Sequence, residues 1–216
     1  MNRERIKLIA LTSGVAALLA VAGFAVGFTA GTRNQIVEEG RHAAIERQIL
    51  DWIVERNPEA KIRDFNGFAY TLFAVSKETG IEWEWILAVA DKESQMHPAS
   101  VGALGEIGLM QILPSTGKLI ADRIKDPLFE APGPVVSRER LTNKPVYASL
   151  GSLGDPRINL RYGALYLKWQ KDVFKHWPTT LRAYNRNPDH AREVRPDDRY
   201  AEDIAFIFIA LRDQFR

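Results

Sequence analysis

The sequence predicts a mainly α, almost wholly helical domain preceded by one N-terminal transmembrane helix. Two kinds of observation lead there. A charge-free apolar run fills residues 8–31, and beyond it apolar residues recur at helical spacing. Helix-ending glycines and helix-starting prolines then fall at the edges of those periodic runs. At 216 residues the chain can hold one domain with a full core plus a tail. A formal net charge of +2 argues for neither a nucleic-acid partner nor a strongly steered acidic one, so no nucleic acid is expected, and the absence of cysteine excludes disulfides, thiol catalysis and cysteine–zinc sites.

The first residues, "MNRERIK", carry Arg3, Arg5 and Lys7. The run Leu8 to Gly31 follows, long enough as a helix to cross a hydrocarbon core. The basic flank 1–7 should stay in the cytoplasm, with Glu38 and Glu39 on the far side. A cleaved signal peptide is the competing reading, with "AVA" at 20–22 as its cleavage site. The apolar run continues past that point, which favours an anchor. Either way the rest of the chain is exported.

Residues 32–66 read as a stalk or first helix, with Ile45, Ile49, Trp52 and Ile53 in register before Asn57–Pro58 ends it. "FAYTLFAVSKETG" is a helix closed by Gly80, and "IEWEWILAVADKES" is the next. A glycine-rich stretch from 98 ends at Pro114, which suits the first turn of a further helix. Residues 126–156 hold many prolines and no helical period, so a long loop with a short hairpin is expected. "RINLRYGALYLKWQKDVFKHW" resumes a helix, with Leu165, Trp169 and Val173 as its stripe. "PTTLRAYN" follows, and a last helix puts Tyr200, Ile204, Ile207 and Leu211 on one face.

One residue sits oddly in this pattern. Ile86, Val89, Ala90 and Glu93 share a helix face, so a carboxyl group points where aliphatic side chains point. Low-dielectric neighbours disfavour its ionised form and raise its pKa, which is what a general acid needs. Position alone leaves the alternative open that Glu93 swings into solvent or pairs with a lysine.

Downstream residues sharpen the choice. Glu93–Ser94 stands at a helix end, Gly108-Leu109-Met110-Gln111 is followed by Pro114 and Thr116, and Ala183-Tyr184-Asn185 comes later, with Tyr200 in the last helix region. "DPRINLRYGALYL" precedes the third of these. In this order they resemble the lytic transglycosylases of the soluble lytic transglycosylase branch, over roughly residues 67–211. The resemblance implies a goose-type lysozyme-like fold for a catalytic domain over 67–216. It implies cleavage of peptidoglycan glycan strands between N-acetylmuramic acid and N-acetylglucosamine, with a 1,6-anhydro product and no cofactor. Glu93 would be the catalytic acid/base, and Ser94, Gly108, Met110, Gln111, Tyr184, Asn185 and Tyr200 would contact substrate. With the anchor it implies an inner-membrane protein whose domain lies in the periplasm, with an envelope-spanning assembly as a further partner.

Each residue also has a plainer reading. Ser94 can bond to its own helix backbone, Met110 can be core, the glycines can serve a tight turn, and Tyr200 also fits the stripe of the last helix. Glu106 could supply a second carboxylate for lysozyme-type hydrolysis, or merely hold its loop. His42, His97, His176 and His190 show no ligand spacing, so no metal site is expected. The resemblance departs at "RNPD", Arg186 to Asp189, where the family usually continues Ala-Gly-Pro-Gly. That turn motivates a third reading, a non-catalytic glycan-binding scaffold.

Overall fold

The computed structural model describes residues 43–186, 188–193, 195 and 198–215. The expected membrane segment at 8–31 lies outside them. Among the described residues no helix is long and apolar enough to cross a membrane. Residues 48–216 form one packed unit.

Helix α1 runs to residue 56 from the first described residue, 43. Ile49, Trp52 and Ile53 are buried, and Asn57 donates from Nδ2 to the Met96 carbonyl at 3.0 Å. Arg56 lies over the Trp52 ring and 3.0 Å from Asp91. Helix α2 (Phe68–Thr79) buries Phe68, Ala69, Leu72 and Val75 at helical spacing. It ends at Gly80, whose φ of 67° lets its N–H reach the Ser76 carbonyl. Helix α3 (Trp83–Ser94) has Ile86 to Ala90 all at 0% exposure, so neighbours cover it on every side.

Helix α4 (Pro114–Ile124) starts on its proline, as expected. The 126–156 segment contains an antiparallel hairpin, β1 (Val135–Arg138) with β2 (Pro145–Tyr147), and a 3-10 turn at Gly151–Gly154. Helix α5 (Pro156–Phe174) is capped by Asp155, whose carboxylate accepts from the N–H groups of Arg157 and Ile158. Helices α6 (Trp177–Asn185) and α7 (Tyr200–Gln214) complete the fold. α3 packs on α7 and α2, while α5 packs on α2, α4 and α6. The Trp85 ring stacks between Trp177 and Phe208, at 4.3 and 4.0 Å, and so locks α3, α6 and α7 together.

The stripe expected on α5 is wrong by part of a turn. The buried side is Leu160, Tyr162, Gly163, Ala164 and Leu167, while Val173 is 57% exposed. The cause is a close approach. A Cβ on Gly163 would collide with the side chain of Met110, so only glycine lets α5 turn this face onto the 98–113 loop. Trp169 lies at the edge instead, under the Arg123 guanidinium.

One buried side chain organises that loop. Asn159, fully buried on α5, donates to the carbonyls of Ile107 (2.8 Å) and Leu153 (2.9 Å) and accepts from the Met110 N–H (2.8 Å). The hairpin braces the same loop from outside, where the Tyr147 hydroxyl donates to the Gly105 carbonyl at 3.0 Å. Replacing Asn159 by Ala strands three buried backbone groups. Urea unfolding should show a loss of about 3 kcal/mol or more, and amide exchange in 100–112 should accelerate ahead of the helices.

Candidate active site

The end of α3, the 98–113 loop, the start of α4, the middle of α5 and the end of α6 converge on one cleft of about 590 Å³. Glu93 and Glu106 line it, with Gln111, Thr116, Tyr166, Tyr184, Asn185 and Arg186 around them. Glu93 arrives there because the last turn of α3 carries the face of Ile86, Val89 and Ala90 out of the core and into the cleft. The helix then stops at Gln95, held in the left-handed region with φ 51°.

The Tyr200 hydroxyl donates to Oε1 of Glu93. Tyr200 is the first residue of α7, so the bond runs between the end of one helix and the start of another. Burial raises the Glu93 carboxyl from the ordinary 4.5 to about 7, against the Tyr200 hydrogen bond and Lys92, which lower it, and with Glu106, which raises it. The phenols of Tyr200 and Tyr184 are pushed well above 10 by burial and by the neighbouring Glu93, so both stay protonated.

The other residues singled out in the sequence divide into those that reach the cleft and those that support it. Gln111 reaches it. Its φ of 46° is a costly conformation for a residue with a side chain, and its Nε2 donates to the carbonyls of Gly108 (2.8 Å) and Ser100 (3.2 Å). Tyr184 lines the cleft with its ring, while its hydroxyl is committed to the Met110 carbonyl at 2.8 Å. Asn185 lies exposed at the cleft edge.

Gly108, Met110 and Ser94 stand behind this surface. Gly108 has a φ of 81°, and a Cβ there would strike Asn159 and the Leu153 carbonyl. Met110 is fully buried against Gly163. Ser94 is buried and donates to the Ala90 carbonyl at 3.1 Å, one turn back. Glu106 lines the cleft and accepts from the Leu104 N–H at 3.1 Å, a bond that closes its own loop.

Sequence reasoning assigned no role to Asn159, Tyr166 or Arg186. Asn159 was visible as a short amide among the buried residues of α5, once the correct face of that helix is known. Tyr166 stands in the Gly-x-x-Tyr-Leu stretch of the segment that resembles the family, but nothing in the spacing said that it would face the cleft. The tryptophans Trp83 and Trp85 do not reach the cleft: Trp83 packs against Phe73 and Phe215, and Trp85 between Trp177 and Phe208.

The raised pKa of Glu93 has a stability consequence. Between pH 4.5 and about 7 the folded chain holds a proton that the unfolded chain has lost. The associated stability is therefore complete below pH 4.5 and is lost as pH rises through about 7. Glu93→Gln keeps the shape and an acceptor for Tyr200 but cannot ionise. Relative to the parent, the variant should gain about 2–3 kcal/mol between pH 4.5 and about pH 8. Unfolding midpoints measured across that range check this, and a constant difference between the two proteins would contradict it.

Residues 71–207 match the family model described as the transglycosylase SLT domain. The curated soluble lytic murein transglycosylases of Escherichia coli K12 and O157:H7 are each 29% identical over 160 residues, which is 74% of this chain. The chain spans only 21% of the length of those relatives. The solved lytic transglycosylase Slt of Pseudomonas aeruginosa, determined as an inactive mutant, shares the fold. It has a TM-score of 0.53 and 22% identity, over 67% of this chain and 24% of that one. This chain belongs to the transglycosylase SLT domain family.

Proposed function

We propose that this member of the SLT family is a peptidoglycan lytic transglycosylase in which Glu93 is the single acid/base. The observation that carries the reading is the half-buried carboxyl of Glu93, raised to about 7 and held by Tyr200 in the cleft of a family domain. A group with that pKa is largely protonated just below neutral pH and can recover a proton in the second half of a reaction.

In the proposed reaction the Glu93 proton passes to the glycosidic oxygen between N-acetylmuramic acid and N-acetylglucosamine. The bond from that oxygen to the muramoyl anomeric carbon breaks, and the N-acetylglucosamine portion leaves with the new hydroxyl. The substrate's own acetamido group stabilises the oxocarbenium-like centre, which removes the need for a carboxylate nucleophile. The muramoyl 6-hydroxyl then attacks the anomeric carbon and returns its proton to Glu93. Atoms balance without water, and the product is a 1,6-anhydro sugar. Gln111, Tyr184 and Asn185 would position the sugars along the cleft, with Tyr184 offering its ring, since its hydroxyl is already bonded. Ser94, Gly108 and Met110 would act through the backbone they hold.

Hydrolysis through a second carboxylate is the competing chemistry, because Glu106 also lines the cleft. The Glu106 bond to the Leu104 N–H supports a loop-holding role instead. On purified cell-wall sacculi, Glu93→Gln should lower the rate of fragment release by more than about a hundredfold. Glu106→Gln should lower it by less than about tenfold. Equal losses would favour the hydrolytic reading. Binding to sacculi with no release by the parent protein would favour a scaffold.

The rate should also decline above about pH 7, as the acid ionises. Tyr200→Phe removes the donor that favours ionised Glu93. The alkaline limb should then move upward by about one unit, measured as kcat/KM against pH. A downward movement would contradict the assignment.

The apolar run 8–31 behind a basic flank supports an inner-membrane anchor with the catalytic domain in the periplasm, where the substrate lies. The full chain should remain with membranes through alkaline carbonate washing, whereas a chain cleaved near residue 22 should be released.

A further inference from the structure

Asp198 is almost fully buried, 1% exposed in its side chain, and stands two residues ahead of Tyr200. Its carboxylate meets two arginines of the preceding helix region. Nη2 of Arg186 is 2.8 Å from Oδ1, and Nε of Arg182 is 3.8 Å from Oδ2. Arg182 also donates to the Ala191 carbonyl at 3.0 Å, so it is fixed from a second side. Arg186 is the first residue of the "RNPD" turn that departs from the family pattern, and it lines the cleft beside Asn185. The charge brought by that departure is directed inward, onto Asp198.

A buried arrangement of this kind is a poor source of net stability. Removing charges from water costs about as much as their attraction returns, and apolar replacements often serve as well. What such a group does supply is a fixed relative position. The chain entering α7 needs one, because Arg199 makes no side-chain bond to cap that helix. One turn beyond Tyr200, Asp203 is held by Lys92 at 2.7 Å, and Lys92 is the neighbour of Glu93 on α3. The first turn of α7 is thus pinned on one side to α6 through Asp198 and on the other to α3 through Asp203. The Tyr200 hydroxyl reaches Glu93 between these two points.

We infer that Asp198 is a positioning residue: its ion pairs with Arg186 and Arg182 hold the start of α7 so that Tyr200 stays hydrogen-bonded to Glu93. The inference rests on the proposed role of Glu93 but is tested apart from it. The titratable and charged groups around Glu93 are Tyr200 on α7, Tyr184 on α6, Glu106 in the loop and Lys92 on its own helix.

The test is the Asp198→Asn variant of the full chain, with Glu93 followed by carboxyl ¹³C NMR titration, its signal assigned by its absence in Glu93→Gln. The sign of the change discriminates. Loss of a negative charge alone would favour ionised Glu93 and move its titration down, whereas loss of the Tyr200 hydrogen bond moves it up. The expected result is an upward shift, with kcat reduced about tenfold and KM changed less than about twofold. In a Tyr200→Phe background the same substitution should produce no further upward shift. A downward or absent shift in folded protein, or an upward shift that persists without the Tyr200 hydroxyl, overturns the inference. Should Asp198→Asn not fold, Arg186→Gln should give an upward shift that disappears in the Tyr200→Phe background; loss of the guanidinium charge alone would raise the titration in both backgrounds, so a shift that persists without the Tyr200 hydroxyl, or no shift at all, overturns the inference equally. A parent protein that released no anhydro fragments would refute the proposed function, while the titration would still decide the role of Asp198.

Discussion

The hydrogen bond from Tyr200 to Glu93 sets what the helices around the cleft have to hold in place. A carboxyl group must be sheltered from water to keep a proton near neutral pH, but shelter alone would make its ionisation too costly for a two-way proton transfer. Tyr200 opposes burial by stabilising the ionised form, and the balance leaves Glu93 near 7. Because the partners sit at the end of α3 and the start of α7, the proposed chemistry would require these helices to hold a fixed relation. The Trp85 sandwich provides it in the core, and the Lys92–Asp203 pair provides it at the rim.

The opposite wall is rigid for a different reason. The 98–113 segment forms no regular strand or helix; its backbone is joined by isolated bridges, Val101 to Ile107 and Ile107 to Ile112, and by turn bonds such as Gly108 N–H to the Ser100 carbonyl at 2.8 Å. Side chains supply what backbone pairing lacks. Asn159 satisfies three backbone groups from below, and Tyr147 takes the Gly105 carbonyl from the hairpin side. Gly163 and Gly108 let α5 and the loop approach closely enough for this. The result is a Gln111 side chain kept at the cleft surface in a conformation it would otherwise avoid.

Much of this was legible in the chain because its local signals agree with its fold. Proline and glycine marked helix boundaries at Pro114, Pro178 and Gly80, and the aliphatic face of α3 pointed Glu93 at a sheltered place. The face of α5 was not legible. Leu165, Trp169 and Val173 make as good a period as Leu160, Ala164 and Leu167, and the deciding contact is Gly163 against Met110, between segments distant in sequence. The same limit applies to the supporting residues. That Tyr184 bonds to the Met110 carbonyl, that Ser94 turns back to Ala90, and that Arg186 finds Asp198 are all long-range or rotameric facts that periodicity does not encode. The altered turn after Asn185, a reason for doubt in the sequence, has a physical account in the folded chain, where a buried ion pair joins its first residue to the segment entering α7.

If one carboxyl group, Glu93, cleaves the glycan as proposed, water is not a reactant. The most direct measurement is digestion of purified sacculi in H₂¹⁸O, with mass analysis of the released fragments. Muramoyl ends should be lighter than reducing ends by one water and free of ¹⁸O from the first turnover. Reducing muramic acid ends carrying ¹⁸O at the anomeric carbon would contradict it, and would direct attention to Glu106 as the group that activates water.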